Sequence, residues 1–342
     1  MTRRRSNQHT SYGTHSTIPR DEHPKDVQSL CALNSVPQGP GSTVTKAATV
    51  RLCRFNGVSN AEFGRSIAGT SESNYLAWCK AKHLTPRTVN LTDIDTKAFW
   101  LGDADAENVV IYFHGGKSTQ TEQTRRLSAS RVLNPGTKWL LLSGGYAMPA
   151  SDGHFVFLTS LLTKAGAAGK SVAVLVLQYD LAPGGRYPRQ LIQAVELLRH
   201  TTTTLGKSPS HIMLMGDSAG GNLIFGVLSH LMHPHPSIQP LKLAEPLRGA
   251  LLSSPVCALN TDNPKFRTQE VQDPASAGTI RVWLKNLLGS SKPDAWNEPL
   301  NADVSWWKDL PKVVDKVLVT VASKEMMAGD TCECADKIRV GV

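Results

Sequence analysis

The 342-residue sequence has no long apolar run, few cysteines and few aromatic residues. Its longest uninterrupted apolar run, residues 172–177, is the size of a strand and far below the ~18 residues of a membrane span, which excludes a transmembrane protein. Basic residues at positions 3–5 have no apolar stretch behind them, so no secretory signal is expected. Six irregularly spaced cysteines indicate reduced thiols. These absences predict a cytoplasmic protein.

The formal net charge of +9 does not indicate a nucleic-acid partner. Three of these charges lie in residues 1–25 and four in residues 117–144, which leaves two for the rest of the chain. A nucleic-acid-binding domain instead concentrates its bases on one face and interleaves them with aromatic residues. The globular part is close to neutral, so we expect no nucleic-acid binding.

Strand-sized apolar runs alternate along the chain with helical patterns. The runs occupy residues 109–113, 173–177, 212–215, 250–252 and 317–321. Between them, apolar residues recur at helical spacing in two stripes, Leu191, Ala194, Val195 and Leu198, and Leu223, Ile224, Val227, Leu228 and Leu231. Continuous apolar strands alternating with amphipathic helices predict an α/β fold whose mainly parallel sheet is covered on both faces. Residues 1–45 lack such periodicity and predict a disordered leader.

The sharpest local signal is the G-x-S-x-G sequence of residues 216–220. It directly follows one predicted strand and directly precedes a predicted helix, which is the context of a nucleophile elbow. The glycines allow a sharp turn that lifts the Ser218 hydroxyl above the sheet edge. The helix beginning at Ala219 points its N–H groups toward any oxyanion formed there. Ser218 is therefore a candidate catalytic nucleophile.

A second motif, His114-Gly115-Gly116, follows the strand predicted at residues 109–113. With the elbow, with Tyr179-Asp180-Leu181-Ala182-Pro183 and with residues 316–325, it resembles the hormone-sensitive-lipase-like branch of the α/β-hydrolase superfamily, the fold-3 group, and particularly its fungal members. The resemblance covers residues 75–340 apart from one interruption. It implies an α/β-hydrolase fold with a helical cap, ester hydrolysis of a small-molecule substrate through an acyl-enzyme, and no cofactor or metal.

Carried over by position, the resemblance implies roles for individual residues. Ser218 is the nucleophile, the N–H groups of Gly115, Gly116 and Ala219 form the oxyanion hole, and Glu325 is the acid of the triad. Asp330 is the alternative acid; we favour Glu325 because it follows the strand predicted at residues 317–321 directly. Residues 46–342 are then a single hydrolase domain, and residues 46–100 and 262–300 contribute to the cap.

The family pattern is interrupted between Gly116 and Gly145. The 28 residues 117–144 are basic and rich in Ser and Thr, and their removal restores His-Gly-Gly-Gly-Tyr. Two interpretations stay open: an atypical insertion that forms a lid, or a retained intron, since Gly116-Lys117-Ser118 can be encoded by a splice-donor sequence. We favour the second, because an insertion here would displace a donor that must lie within ~3 Å of the developing charge.

The triad also lacks its histidine, because no histidine follows Glu325 and the last one is His235. His230, His233 and His235 precede the acid. They form either a polar helix end or a metal site, and the lack of a nearby carboxylate partner favours the helix end. Losing a triad member lowers turnover about 10⁴-fold, so we expect an inactive or slow esterase. The alternatives are a catalytically dead binder of small ligands and a non-functional mis-spliced product.

Overall fold

An eight-stranded sheet forms the centre of the computed structural model, which describes residues 32–33, 69–116, 145–261, 266, 273 and 277–342. The strands are β1 Ala32–Leu33, β2 Thr88–Leu91, β3 Thr96–Leu101, β4 Asn108–Phe113, β5 Val172–Gln178, β6 Ile212–Asp217, β7 Gly249–Ser253 and β8 Val317–Val321. They lie in the order β1-β8-β7-β6-β4-β5-β3-β2. β3 is antiparallel to β2 and β5, and the other neighbours are parallel.

Seven α-helices accompany the sheet in the described part of the chain. They are α1 Ser71–Lys82, α2 Asp152–Ala167, α3 Arg189–Thr203, α4 Ala219–Met232, α5 Ala277–Leu288, α6 Leu310–Val313 and α7 Ala328–Gly341. Single 3₁₀ turns occupy Thr92–Ile94, Gly145–Ala147, Pro209–His211, Pro299–Asn301 and Val304–Trp307. No helix within the described ranges combines the length and the apolar character that a membrane crossing needs.

Both faces of the sheet are buried, as the continuous apolar strands predict. Successive residues of a strand point to opposite faces, so Ile111 of β4 joins one core cluster and Val110 the other. Helices α3 and α4 cover the first face with the two predicted stripes, and α1 and α2 cover the second with Tyr75 and Phe155. The α/β-hydrolase fold class, the five predicted strands and both helical stripes are confirmed.

Parts of the predicted domain division differ from the structure. Within the predicted leader, Ala32 and Leu33 form a strand that pairs with β8. Within the predicted cap segment 46–100, residues 88–91 and 96–101 form β2 and β3, because Ala98, Phe99 and Trp100 are buried in the sheet against β5. These residues belong to the sheet and not to a cap. The rest of the leader and segments 34–68 and 117–144 lie outside the described residues.

Candidate active site

Ser218 occupies a one-residue turn between β6 and α4. Its backbone angles, φ 52° and ψ −112°, lie where residues with a side chain are rarely found. Such a conformation costs about 1–3 kcal/mol and persists only where the surroundings impose it. Here the Ser218 N–H donates to Ser253 O at 2.8 Å, and the Ser218 carbonyl accepts the N–H of Asn222 at 3.0 Å. This is the geometry that the elbow motif predicts.

The elbow glycines are required because three backbones meet at this turn. A Cβ atom at Gly216 would lie 2.7 Å from the carbonyl of Gly220 and 2.8 Å from the Phe113 carbonyl oxygen. A Cβ atom at Gly220 would overlap the Phe113 carbonyl outright. Glycine at both positions therefore allows α4 to pack directly against the ends of β6 and β4, which fixes Ser218 above the sheet.

Gly115 lies against the elbow, as expected of an oxyanion loop. A Cβ atom on it would lie only 2.9 Å from Ser218 Cβ and would overlap Asp217. Its N–H, however, donates to Asp217 Oδ1 at 3.0 Å. For the Gly115 N–H to line an oxyanion hole, as predicted, this hydrogen bond would have to be shared or redirected when an oxyanion forms. Ala219 is the first residue of α4, and its N–H has no partner within that helix.

Asp217 is the centre of a buried polar cluster below Ser218. Its Oδ1 atom accepts the Tyr112 hydroxyl at 2.5 Å, and its Oδ2 atom is buried without a hydrogen bond among the described residues. Burial and the Asp217 charge together hold the pKa of Tyr112 well above its ordinary range. Burial lowers the pKa of His154, and the Asp217 carboxylate opposes that lowering. Asp217 therefore changes the pKa of side chains on two neighbouring elements, Tyr112 of β4 and His154 of α2.

His114 takes part in packing rather than in contact with Ser218. Its ring stacks on Tyr179, with 4.3 Å between the centroids, and its Nδ1 atom lies 3.1 Å from the carbonyl oxygen of Gly115. Burial lowers the pKa of His114 to about 3. The ring is therefore neutral near neutral pH and supports the loop that carries Gly115.

The two candidate acids follow the carboxyl end of β8, on the same side of the sheet as Ser218 after β6. Glu325 belongs to the turn after β8, where its N–H donates to Ala322 O at 3.0 Å and its carbonyl accepts the N–H of Ala328 at 3.1 Å. Parallel β7 separates β8 from β6, so Glu325 and Ser218 follow strands two places apart. Asp330 is buried in the first turn of α7. Burial raises the pKa of Cys257 after β7, and the Asp330 charge adds to that rise.

The three histidines at the end of the elbow helix α4 and just beyond it contact different partners. His230 Nδ1 accepts the backbone N–H of His235 at 3.0 Å, and the His233 ring packs on Trp306 with 4.0 Å between centroids. The His235 ring meets Trp296 edge to face at 5.0 Å. Within the described ranges, no group of three or more histidine, cysteine or acidic side chains is arranged to hold a metal ion. The cluster packs the end of α4.

Sequence reasoning missed the side chains that connect the elbow to the rest of the site. Asn222, in the first turn of α4, accepts the Tyr146 hydroxyl at 2.8 Å and donates to the carbonyls of Val256 and Asn297 at 2.7 and 2.8 Å. Asp217 lies inside the elbow motif and Asn222 lies two residues after it, so the motif indicates the place of both residues but not their contacts. Trp283 of α5 packs against Gly145, which places this helix over the turn next to Tyr146.

A strand–elbow–helix carrying a strained serine on a mainly parallel sheet defines the fold and site of an α/β-hydrolase. A family model described as the alpha/beta hydrolase fold matches residues 143–342, and the chain belongs to this family. The match covers more than half of the sequence and includes the elbow and the turn that carries Glu325.

Two curated relatives and two solved structures agree with this assignment. Steryl acetyl hydrolase 1 of Saccharomyces cerevisiae is 31% identical over 104 residues, 29% of this chain and 23% of that protein. Carboxylesterase NlhH of Mycobacterium tuberculosis is 28% identical over 180 residues, 51% of this chain and 46% of that protein. The chain thus spans less than half the length of either relative.

The solved structures share the fold. An esterase from the bacterial hormone-sensitive lipase family superposes with a TM-score of 0.57 at 21% identity, covering 88% of this chain and 86% of its own. Carboxyl esterase 2 of the mycorrhizal fungus Tuber melanosporum gives a TM-score of 0.56 at 19% identity, covering 75% and 74%.

Proposed function

We propose that the chain is a carboxylic-ester hydrolase in which Ser218 is the nucleophile. The observation that carries this proposal is the strained backbone of Ser218, held between β6 and α4 beside Gly115. A φ of 52° at a serine destabilises the fold, and it is retained where the hydroxyl must project from the turn. Family membership supports the same chemistry.

The proposed reaction has two halves. Ser218 Oγ attacks the ester carbonyl carbon while a base from solvent takes the hydroxyl proton, and the resulting oxyanion accepts hydrogen bonds from the N–H groups of Ala219 and Gly116. A proton then returns to the alcohol oxygen as it leaves. Collapse of the tetrahedral intermediate expels the alcohol and leaves the acyl group on Ser218. Water then attacks the acyl-enzyme and releases the carboxylic acid. Glu325 is proposed as the triad acid, whose role is to orient and stabilise a histidine base.

The 342-residue chain is proposed to turn over slowly because no histidine follows Glu325. Described histidines near the elbow in sequence or in the neighbouring loop are held in other contacts: His114 stacks on Tyr179, and His230 Nδ1 accepts the N–H of His235. Without a base, the Ser218 hydroxyl stays protonated and is a poor nucleophile, and turnover falls by about 10⁴-fold. A chain that binds esters without turning them over is the second candidate function, favoured by this same feature.

The substrate is proposed to be a small-molecule ester with an apolar portion. A satellite apolar cluster joins Ala277 and Ile280 of α5 to Met326, the residue that follows Glu325. This cluster lies beside the acid turn and supports a cap function for segment 262–300. The names of the matched relatives, a carboxylesterase and a steryl acetyl hydrolase, make short acyl esters of apolar alcohols the class to test.

Chemical rescue tests this proposal with the chain as it is. Free imidazole, added to the purified protein with p-nitrophenyl butyrate, can take the place of the missing base. We expect the rate above the buffer-plus-imidazole background to rise with imidazole in the parent chain and to be absent in Ser218→Ala. An equal rise in Ser218→Ala would overturn the role of Ser218. Saturable binding of the ester with no rise in either protein would favour the second candidate.

A further inference from the structure

Asp217 and Asn222 contact the chain on both sides of segment 117–144. Asp217 precedes Ser218 directly, and its Oδ1 atom accepts the Gly115 N–H at 3.0 Å. Asn222 follows Ser218 by four residues, and its Oδ1 atom accepts the Tyr146 hydroxyl at 2.8 Å. Gly115 lies before the segment and Tyr146 after it. In the proposed function both belong to the oxyanion loop. Each end of the loop is therefore hydrogen-bonded to a residue of the elbow.

The Asp217 contact fixes the position of the loop at Gly115 rather than adding to the general stability of the fold. Its Oδ1 atom also accepts the Tyr112 hydroxyl at 2.5 Å, so one oxygen joins β4, the loop and the elbow. Its Oδ2 atom is buried and accepts no hydrogen bond from the described residues. Burying a partly satisfied carboxylate costs free energy. Both hydrogen bonds of Asp217 therefore depend on the one accepting atom Oδ1, which an asparagine at this position would also supply.

The Asn222 side chain makes almost all of the hydrogen bonds that its amide group can form. The side chain is 2% exposed, and both amide hydrogens are directed at carbonyls, those of Val256 and Asn297. These two donations fix the amide so that Oδ1 faces Tyr146. The Tyr146 carbonyl in turn accepts the N–H of Ala182 at 2.8 Å, which fixes the backbone of the turn. Tyr146 therefore has little freedom to move away from α4.

We propose that Asp217 and Asn222 are positioning residues that hold the two ends of the oxyanion loop beside Ser218. Neither side chain touches the reacting atoms; each acts through the backbone of the loop. The proposal rests on the proposed ester hydrolysis, because the loop is what presents the Gly116 N–H to the developing oxyanion. The required precision is high, since loss of one oxyanion donor lowers a rate by about 10²–10³-fold.

The test compares Asp217→Ala, Asp217→Asn and Tyr146→Phe with the parent chain by two measurements. The first is amide hydrogen exchange at Gly115 and residues 145–148, which needs no substrate. The second is the imidazole-supported rate of acylation by p-nitrophenyl butyrate, resolved into the limiting rate and the half-saturating ester concentration. Thr201→Ala is the matched control, because it removes a buried hydroxyl donating to Leu197 O at 2.7 Å on α3, away from the site.

We expect Asp217→Ala to speed exchange at the Gly115 amide about tenfold or more and to lower the limiting acylation rate about tenfold to a hundredfold, with little change in half-saturation. Asp217→Asn, which keeps the accepting oxygen, should restore both to within about twofold of the parent. Tyr146→Phe should speed exchange at residues 145–148 and lower the limiting rate. Thr201→Ala should change neither.

Unchanged exchange at Gly115 in Asp217→Ala would overturn the proposal, and so would a limiting rate that is the same in Asp217→Ala, Tyr146→Phe and the parent. A loss of equal size in Thr201→Ala would also overturn it, because the effect would then reflect general stability. If the parent shows no Ser218-dependent acylation, the proposed function fails while the exchange measurement still decides whether the loop is held. The isosteric variants Asp217→Asn and Tyr146→Phe keep the test interpretable if Asp217→Ala fails to fold.

Discussion

Replacing Ser218 with glycine should stabilise the fold while removing the candidate nucleophile. The serine sits at φ 52° and ψ −112°, a conformation worth about 1–3 kcal/mol of strain for a residue with a Cβ atom. Glycine adopts it freely but makes the unfolded chain more flexible, which costs about 0.4–1 kcal/mol. The net expectation is a gain of roughly 0.5–2 kcal/mol in the free energy of unfolding.

Ser218→Ala provides the matched comparison, because alanine keeps the Cβ atom and therefore the strain. We expect its free energy of unfolding to stay within about 0.5 kcal/mol of the parent. Urea unfolding of the three proteins at neutral pH, followed by circular dichroism, measures both differences. If Ser218→Gly is no more stable than Ser218→Ala, the backbone of the elbow is not strained, and the argument from strain to a functional serine is refuted.

Two further expectations concern packing and pH. Gly220→Ala should destabilise the fold by about 3 kcal/mol because the methyl group meets the Phe113 carbonyl; Gly166→Ala, which meets nothing within 4 Å on α2, should stabilise it by about 0.5–1 kcal/mol. Urea midpoints distinguish these outcomes, and similar losses in both variants would contradict the packing argument. Burial lowers the pKa of His114 to about 3 and that of His230 to about 4. On acidification, these histidines become protonated at a higher pH in the unfolded chain than in the folded chain. The free energy of unfolding should therefore fall between pH ~6.5 and 4, by about 1 kcal/mol per histidine and pH unit. It should not change from this cause above pH 7. Urea midpoints that stay constant from pH 7 to pH 5 would contradict this.

The regular part of the fold could be predicted because burial dictates its sequence. A parallel strand covered on both faces must be almost entirely apolar, and β4, β5 and β8 have one polar residue each, Asn108, Gln178 and Thr320. The helical stripes on α3 and α4 follow from packing against one face of the sheet. β1 could not be predicted in this way, because a two-residue strand has no periodicity to detect.

The position of the elbow could be predicted from sequence, but the hydrogen bonds around it could not. A glycine pattern fixes where the backbone must turn, so the place of Ser218 followed from the motif and its flanks. Which N–H donates to which oxygen depends on distances between elements far apart in sequence. The motif predicts a role for the Gly115 N–H but not its hydrogen bond to Asp217, 102 residues later. The same applies to Asn222 and Tyr146, 76 residues apart.

The most direct test of Ser218 as the nucleophile is to map the acyl group. Slow turnover, as proposed for the 342 residues, should let the acyl-enzyme accumulate during incubation with p-nitrophenyl butyrate. After acid quenching and digestion, mass spectrometry should find the butyryl group on the peptide that contains Ser218 and should find none there in Ser218→Ala. Release of p-nitrophenol with that peptide unmodified, or with butyryl groups only on lysine side chains, would contradict the proposed mechanism.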